Sequence, residues 1–162
     1  IITQFLQYAK PLDLQIVNVE ISKLMMDFYH LFIEQAEQRN IAFKIKGDKN
    51  VYANIDPELF KQAIINFIQN AFDAVENNGR IVVEYFTKDG SFIGVVKDNG
   101  KGIPEKDHSK IFDLYYSTRK EGSGIGLSIA QKIISQHNEV IDFTSSNNGT
   151  TFNIKIPYKE KL

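Results

Sequence analysis

The chain has 162 residues, of which 43% are hydrophobic and 24% are charged, and this size and composition fit one domain with a single core. The 19 Lys and Arg residues are balanced by 20 Asp and Glu residues, so no basic excess exists and nucleic acid is excluded as an expected partner. The absence of cysteine excludes disulfides and thiolate sites, and no apolar run approaches the roughly 20 residues that cross a bilayer, so we expect a cytoplasmic location.

Two amphipathic helices are predicted at the start of the chain. Residues 1–10 place their apolar side chains on one helical face, and Pro11 ends this helix because proline lacks the amide that helix continuation needs. Residues 20–39 carry a second apolar stripe at helical spacing. The stripe consists of Ile21, Leu24, Met25, Phe28, Leu31, Phe32 and Ala36.

A β-hairpin and a third helix are predicted next. Residues 41–45 alternate in polarity as a half-buried strand does, and residues 51–53 are expected to pair with them after a turn at residues 47–50. Asp56 then supplies an N-cap, and Pro57 suits the first position of a helix. The apolar face of this helix repeats in pairs every four residues: Leu59, Phe60, Ala63, Ile64, Phe67, Ile68, Ala71, Phe72 and Val75.

A row of amides lies on another face of the third helix. Gln62, Asn66 and Asn70 are spaced by four residues, so their side chains lie one above the other. Asn is a poor choice for a helix interior, because its short amide competes with the backbone hydrogen bonds. The row by itself indicates either a solvated polar face or a surface that meets a cation or a nucleotide.

A second hairpin is predicted from residues 80–86 and residues 91–97, which flank an Asp-Gly turn. The second strand leads directly into Asp98, which is followed by Gly100 and Gly102. A carboxylate at a strand end can accept a hydrogen bond from an exocyclic amine, and glycine lets the backbone approach a flat ligand. The alternative reading of this segment is a tight turn without a ligand.

A second glycine-rich loop follows an aromatic cluster. Gly122, Gly124 and Gly126 are spaced by two residues and precede an amphipathic helix. Such a loop can direct backbone amides and a helix N-terminus at phosphate groups, with Arg119 or Lys120 closing on the charge. The alternative is a flexible hinge that binds nothing.

Taken in order, these segments resemble the histidine kinase branch of the ATPase superfamily that also contains DNA gyrase, Hsp90 and MutL-type proteins. The matching segments are the Asn box at 66–71, the first glycine box at 98–103, the aromatic box at 112–116, the second glycine box at 122–127, and the closing turn and strand at 148–157. The resemblance covers about residues 17–157. It implies an α/β two-layer sandwich in which a mixed sheet of about five strands has three helices on one face, with a mobile ATP lid over about 104–124.

The resemblance also implies a site that binds ATP and Mg²⁺. Asn70 would be the Mg²⁺ ligand and Asp98 would accept a hydrogen bond from the adenine amine. Asn66, Asn70 and Arg119 would be the catalytic residues. The other implied nucleotide contacts are Gly100, Gly102, Ile103, Tyr115, Lys120, Gly122, Gly124, Ile125, Gly126, Leu127, Thr150 and Thr151.

Gyrase-like relatives carry a Glu four residues before the metal-binding Asn, where this chain has Asn66. An amide cannot act as a general base, so the resemblance implies phosphoryl transfer to a protein acceptor and not ATP hydrolysis. The expected acceptor is a histidine on a separate helical hairpin. Residues 1–16 resemble the end of that hairpin and a linker, and residues 17–162 resemble the catalytic domain.

The three histidines of the chain do not lie in an acceptor context. His30 is predicted to be structural, and His108 and His137 are predicted to lie at the surface. The expected partners are therefore the missing hairpin and a response regulator, with this chain monomeric and its parent a homodimer. Two alternatives remain open at this point, namely a protein serine kinase of the same superfamily and a non-catalytic ATP-binding or docking module.

Overall fold

The computed structural model describes residues 2–117, 124–138 and 140–157, which contain four α-helices and seven β-strands. The helices are α1 (Ile2–Ala9), α2 (Ile21–Gln38), α3 (Pro57–Ala74) and α4 (Gly126–Gln136). The strands are β1 (Val17–Glu20), β2 (Ala42–Gly47), β3 (Tyr52–Ile55), β4 (Arg80–Lys88), β5 (Ser91–Asp98), β6 (Val140–Ser146) and β7 (Gly149–Pro157). None of the described helices is long and apolar enough to span a membrane.

The main sheet has five strands in the order β2-β4-β5-β7-β6. Strand β2 runs parallel to β4, whereas the β4–β5, β5–β7 and β6–β7 pairs are antiparallel. The prediction of a mixed five-stranded sheet is therefore confirmed. A second sheet, formed by the antiparallel pair β1 and β3, was not predicted.

The predicted hairpin between residues 41–45 and 51–53 is wrong. Phe43 in β2 pairs with Ile81 in β4, and Ala53 in β3 pairs with Val19 in β1. The two strands were recognised from their local alternation, but they belong to different sheets. Polarity alternation identifies a strand and its buried face, and it does not specify the partner strand.

Helices α2, α3 and α4 pack on one face of the main sheet. Phe67 of α3 is fully buried, and its ring centroid lies 5.0 Å from that of Phe152 in β7. Phe72 is also fully buried, and its ring stacks on that of Phe32 in α2. Leu31, which was predicted to join the buried stripe of α2, is 57% exposed, and the neighbouring His30 is also exposed. Both residues lie on the side of α2 that faces away from the core.

Helix α3 begins at a buried carboxylate that also holds the segment after α1. Asp56 Oδ1 accepts hydrogen bonds from the backbone amides of Glu58 (3.1 Å) and Leu59 (3.0 Å). Its Oδ2 accepts a third bond from the amide of Gln15 at 2.8 Å. Burial by itself raises the pKa of this carboxyl, but the three backbone hydrogen bonds outweigh burial and lower the pKa.

Replacing Asp56 by Ala is expected to lower the free energy of unfolding at pH 7 by about 1–2 kcal/mol, because α3 loses its N-cap. Since the pKa is lower in the folded state, the ionised carboxylate contributes stability above the unfolded pKa of about 3.9. This contribution is lost as the pH falls through the folded pKa. Urea unfolding at pH 7 and pH 3 tests this, with Asp56→Asn as the control that keeps an N-cap acceptor. An equal loss at both pH values would contradict the argument.

The prediction of surface positions for two histidines is wrong for His137. Its side chain is 9% exposed, and Nε2 accepts a hydrogen bond from the amide of Asp56 at 3.0 Å. Nδ1 lies 2.7 Å from the carbonyl oxygen of Ile133, and because a carbonyl only accepts, Nδ1 carries the proton. The ring therefore links the end of α4 to the start of α3. His108 is half-buried, with Nε2 2.9 Å from the carbonyl oxygen of Ile103.

Candidate functional site

A pocket opens between the C-terminal half of α3 and the adjoining ends of β5 and β7. Its lining residues are Asn70, Asp73, Ala74, Asp98, Lys101, Gly102, Ile103, Thr150 and Phe152. Among the site residues predicted from sequence, the pocket brings together Asn70, Asp98, Gly102, Ile103 and Thr150. The other lining residues, Asp73, Ala74, Lys101 and Phe152, were not among the predicted contacts. Asp73 and Ala74 follow Asn70 by three and four residues and so share its side of the helix.

Asp98 is the last residue of β5 and is only 6% exposed. Its Oδ1 accepts hydrogen bonds from the amides of Gly100 at 2.8 Å and Thr150 at 3.4 Å. Within the described residues, Oδ2 accepts no hydrogen bond, so it can serve a donor from a ligand. Burial raises the pKa of this carboxyl, and the two backbone hydrogen bonds oppose the rise only in part.

The loop after β5 is in backbone contact with two neighbouring segments. Gly102 has a φ of +72°, and a Cβ added to it would lie 1.8 Å from the carbonyl oxygen of Ser146. A Cβ on Gly100 would lie 2.5 Å from the carbonyl oxygen of Ala74 at the end of α3. A side chain at either position would therefore overlap the neighbouring backbone, so both positions require glycine. At Gly102 the left-handed conformation is a second reason.

Replacing Gly102 by Ala is expected to lower the free energy of unfolding by about 3 kcal/mol or more, because conformational strain and overlap add. Gly90 provides the matched control, since its φ is +69° and a Cβ there would meet nothing within 4 Å. Gly90→Ala is expected to cost only the conformational part, about 1 kcal/mol. Denaturant unfolding of both variants separates the conformational cost from the cost of overlap. Equal losses of unfolding free energy would show that the contact with Ser146 is unimportant.

Ser145 is a site residue that the sequence did not single out. Its hydroxyl accepts a hydrogen bond from the amide of Ile103 at 2.7 Å and lies 2.8 Å from Oγ1 of Thr150. Ser145 and Thr150 are paired across β6 and β7, which places them on the same face of the sheet. The hydroxyl thereby holds the loop after β5 against the strand that carries Thr150.

The amide row of α3 reaches the start of α4. Asn66 Nδ2 donates a hydrogen bond to the carbonyl oxygen of Gly126 at 3.1 Å. Helix α4 begins at Gly126, and within the described part of the chain no side chain caps it. Its first-turn amides can thus receive an anion. The side chain of Ile125 is 1% exposed and belongs to the core, as does the half-buried Leu127.

The predicted contacts in the lid and in the second glycine box have different outcomes. Arg119, Lys120 and Gly122 lie outside the described residues. Tyr115 has a φ of +66° and is 52% exposed. Gly124 has a φ of +68°, and a Cβ on it would lie 2.4 Å from the carbonyl carbon of Tyr115. This glycine therefore lets the chain pass close to the aromatic segment.

The two neighbouring threonines of β7 lie on opposite faces of the sheet. Thr150 is 4% exposed and lines the pocket. Thr151 pairs with Lys97 of β5, and because side chains alternate along a strand it faces away from the helices. Of this predicted pair, only Thr150 is positioned to meet a ligand in the pocket.

The described part of the expected lid packs against the core. It contains a short 3₁₀ helix (Glu105–Asp107), and Ile111 is 3% exposed. The ring of Phe112 meets those of Phe143 and Phe152 edge-on, at centroid distances of 6.0 and 6.3 Å. Phe112 of the aromatic box thus anchors the middle of this segment, and mobility of residues 104–124 stays a prediction.

The chain has clear relatives among known proteins. The profile of the family described as "Histidine kinase-, DNA gyrase B-, and HSP90-like ATPase" matches residues 55–160. Sporulation kinase A of Bacillus subtilis (strain 168) is 32% identical over 162 residues, covering 98% of this chain and 27% of that protein. The solved catalytic domain of histidine kinase ThkA has a TM-score of 0.83 at 31% identity, covering 89% of this chain and 96% of that chain. The structure of ThkA in complex with the response regulator protein TrrA has a TM-score of 0.85 at 30% identity, covering 98% of this chain and 46% of that chain.

A pocket bounded by the Asn box, the first glycine box and the end of β7, on a fold shared with these structures, defines an ATP-binding domain. The chain belongs to the histidine kinase, DNA gyrase B and Hsp90-like ATPase family, and within it to the catalytic domains of histidine kinases. The family resemblance read from the sequence is thereby confirmed. The chain spans about a quarter of the length of a curated relative such as Sporulation kinase A.

Proposed function

We propose that this domain binds Mg-ATP and transfers the γ-phosphoryl group to a histidine on a separate helical hairpin of its parent protein. The observation that carries the proposal is the environment of Asp98. This carboxylate is buried, fixed by two backbone amides through Oδ1, and has Oδ2 without a hydrogen bond among the described residues. An acceptor of this kind suits the exocyclic amine of adenine.

The adenine end of the site is built around Asp98. Ile103 and Phe152 provide apolar surface for a flat base, and Gly102 lines the same pocket. Thr150 adds a hydroxyl beside the carboxylate. A purine with an amine at the matching position gains a hydrogen bond to Oδ2, whereas a purine with a carbonyl there leaves the buried carboxylate without a donor.

Asn70 suits the metal at the phosphate end. Its amide side chain lines the pocket, and amide oxygens are typical ligands of Mg²⁺, which usually takes few protein ligands and several phosphate or water oxygens. The described residues contain no cluster of three or more His, Cys, Asp or Glu side chains that could hold a metal without the nucleotide. When bound, Mg²⁺ would neutralise charge on the phosphates.

The phosphates are proposed to meet the start of α4. The first-turn amides of this helix would receive the phosphate oxygens, and Asn66 fixes the helix start through its bond to Gly126. Arg119 and Lys120 are proposed to add positive charge from the lid. Of the glycine box, Ile125 and Leu127 would contribute backbone atoms only, because their side chains belong to the core.

The chemistry proposed is an in-line displacement. A ring nitrogen of the acceptor histidine attacks the γ-phosphorus while the bond to the β,γ-bridging oxygen breaks, and ADP leaves. Asn66 stands where a general base would activate water in hydrolytic relatives, so hydrolysis gains no such help. His137 is engaged through both ring nitrogens in the core, which supports an acceptor outside this chain.

The parent protein is proposed to be a two-component sensor kinase. Residues 1–16 would be the end of the dimerisation hairpin and its linker, and residues 17–162 the catalytic domain. The expected partners are that hairpin and a response regulator, as in the complex of ThkA with TrrA. The parent is expected to be a homodimer with this domain in the cytoplasm, and this chain alone is expected to be monomeric.

Phosphoryl transfer in trans tests the proposal. The domain is incubated with Mg²⁺, ATP labelled at the γ-phosphate and the purified helical hairpin of the parent. We expect label on the hairpin that is stable in alkali and lost in acid, as a phosphoramidate is, and no label when the hairpin histidine is replaced by Gln. An acid-stable label would identify a hydroxyl acceptor and a serine kinase. ATP binding without any transfer would indicate a non-catalytic binding module.

A further inference from the structure

The C-terminal end of α3 is held by a side chain that follows α2. The guanidinium of Arg39 donates from Nη1 to the carbonyl oxygen of Phe72 at 2.7 Å and from Nη2 to that of Val75 at 2.6 Å. Its Nε donates to Oδ1 of Asn77 at 3.1 Å. Helix α3 has no basic residue in its own last turn, so Arg39 supplies the positive charge that a helix C-terminus favours.

The same helix end forms a wall of the nucleotide pocket. Ala74 lies between the two carbonyls that Arg39 holds, and it lines the pocket. Its carbonyl oxygen accepts a hydrogen bond from the amide of Lys101 at 3.2 Å, and Gly100 is in van der Waals contact with its backbone. The position of the loop after Asp98 therefore depends on the position of Ala74.

We propose that Arg39 is a positioning residue for the adenine side of the nucleotide site. Arg39 is not one of the residues that line the pocket, and its guanidinium bonds to the carbonyls on either side of Asp73 and Ala74, so we infer that it acts through Ala74 and the amide of Lys101. The planar guanidinium satisfies two carbonyls and one amide oxygen at once, which the point charge of a lysine cannot do. The choice of ATP as the ligand rests on the proposed function, whereas the mechanical link from Arg39 to Lys101 does not.

Arg39→Lys is the informative variant because it keeps the positive charge and loses the planar guanidinium fork that donates the three hydrogen bonds. Arg80→Lys is the matched control, since the Arg80 side chain is exposed and makes no hydrogen bond or ion pair within the described residues. Calorimetry compares Mg-ATP with Mg-tripolyphosphate, which has the phosphates and lacks adenosine. We expect Arg39→Lys to weaken the affinity for Mg-ATP about tenfold and to change the affinity for Mg-tripolyphosphate by no more than about twofold. Arg80→Lys is expected to change neither affinity.

Hydrogen exchange of the protein without nucleotide tests the link directly. The amide of Lys101 is expected to exchange about tenfold faster in Arg39→Lys, because its acceptor Ala74 is no longer held in place. The amide of Leu59, which is bonded to Asp56 at the other end of α3, is expected to exchange at the wild-type rate.

Two results would overturn the proposal. Unchanged exchange at Lys101 in Arg39→Lys would show that the fork does not position the loop. Equal weakening of ATP and tripolyphosphate, with faster exchange at both Lys101 and Leu59, would show that Arg39 only stabilises the fold. Failure of the wild-type chain to bind ATP would refute the proposed function, and the exchange rates would still decide the role of Arg39.

Discussion

Replacing Asp98 by Asn is expected to weaken ATP binding by about 100-fold, equivalent to about 2.7 kcal/mol. The amide keeps an oxygen that can accept from the backbone of Gly100 and Thr150, and this orientation turns its NH₂ group toward the ligand. The adenine amine then meets a donor in place of an acceptor. Isothermal titration calorimetry of the two proteins with Mg-ATP measures the loss.

The same substitution is expected to leave the unliganded protein as stable as the wild type or slightly more stable. Burial raises the pKa of Asp98, so its ionised form is disfavoured in the folded state at neutral pH and stability rises as the pH falls toward that pKa. Asn carries no charge and removes this cost. Lost affinity with an undiminished melting temperature would support a binding role, whereas lost affinity with a much lower melting temperature would indicate a structural role.

The raised pKa also predicts how affinity changes with pH. Protonation places a hydrogen on the oxygen that should accept from adenine, so affinity falls as the pH is lowered through the pKa of Asp98. The fall is expected at a higher pH than the value of about 3.9 for an exposed aspartate. Titrating adenosine, which has no phosphate to complicate the profile, tests this. The Asp98→Asn variant is expected to lack this pH dependence.

Replacing Asn70 by Ala is expected to remove the Mg²⁺ dependence of ATP binding and to slow phosphoryl transfer by at least about 100-fold. The amide oxygen of Asn70 is the proposed metal ligand at the pocket, and Ala has no oxygen to take its place. Calorimetry with and without Mg²⁺ measures the first effect. Single-turnover transfer of label to the hairpin measures the second.

Gln62 offers a matched control for Asn70. It belongs to the same row of amides on α3, and it lines a different cavity. Gln62→Ala is expected to retain the wild-type Mg²⁺ dependence, and Asn70→Asp, which keeps an oxygen ligand, is expected to retain metal binding. If Asn70→Ala responds to Mg²⁺ as the wild type does, the metal ligand lies elsewhere and the proposed role of Asn70 is wrong.

Local pattern in the sequence was sufficient where one segment carries its own signal. The pairs of apolar residues from Leu59 to Val75, with Asp56 and Pro57 before them, predicted the start of α3 and its buried face, because helix periodicity and capping are local properties. The β4–β5 hairpin followed from its Asp-Gly turn, and Asp98 was placed at the strand end from which it enters the pocket.

Contacts between distant segments could be read only from the tertiary structure. The sequence identified β2 and β3 as strands but wrongly paired them with each other. The partner of a strand depends on packing energies that no local pattern contains. His137 looked like a surface residue at a helix end, yet the start of α3 buries it.

The sequence by itself therefore determined the class of the domain, through the resemblance of its ordered segments to a known family, and also the helices and strands whose signals are local. The tertiary structure decided which residues meet: Thr150 enters the pocket and Thr151 does not, Ser145 holds the loop after β5, and Arg39 holds the wall beside Ala74. The physical reason is that hydrogen bonds and close packing between segments far apart in the chain depend on where the whole fold places each backbone.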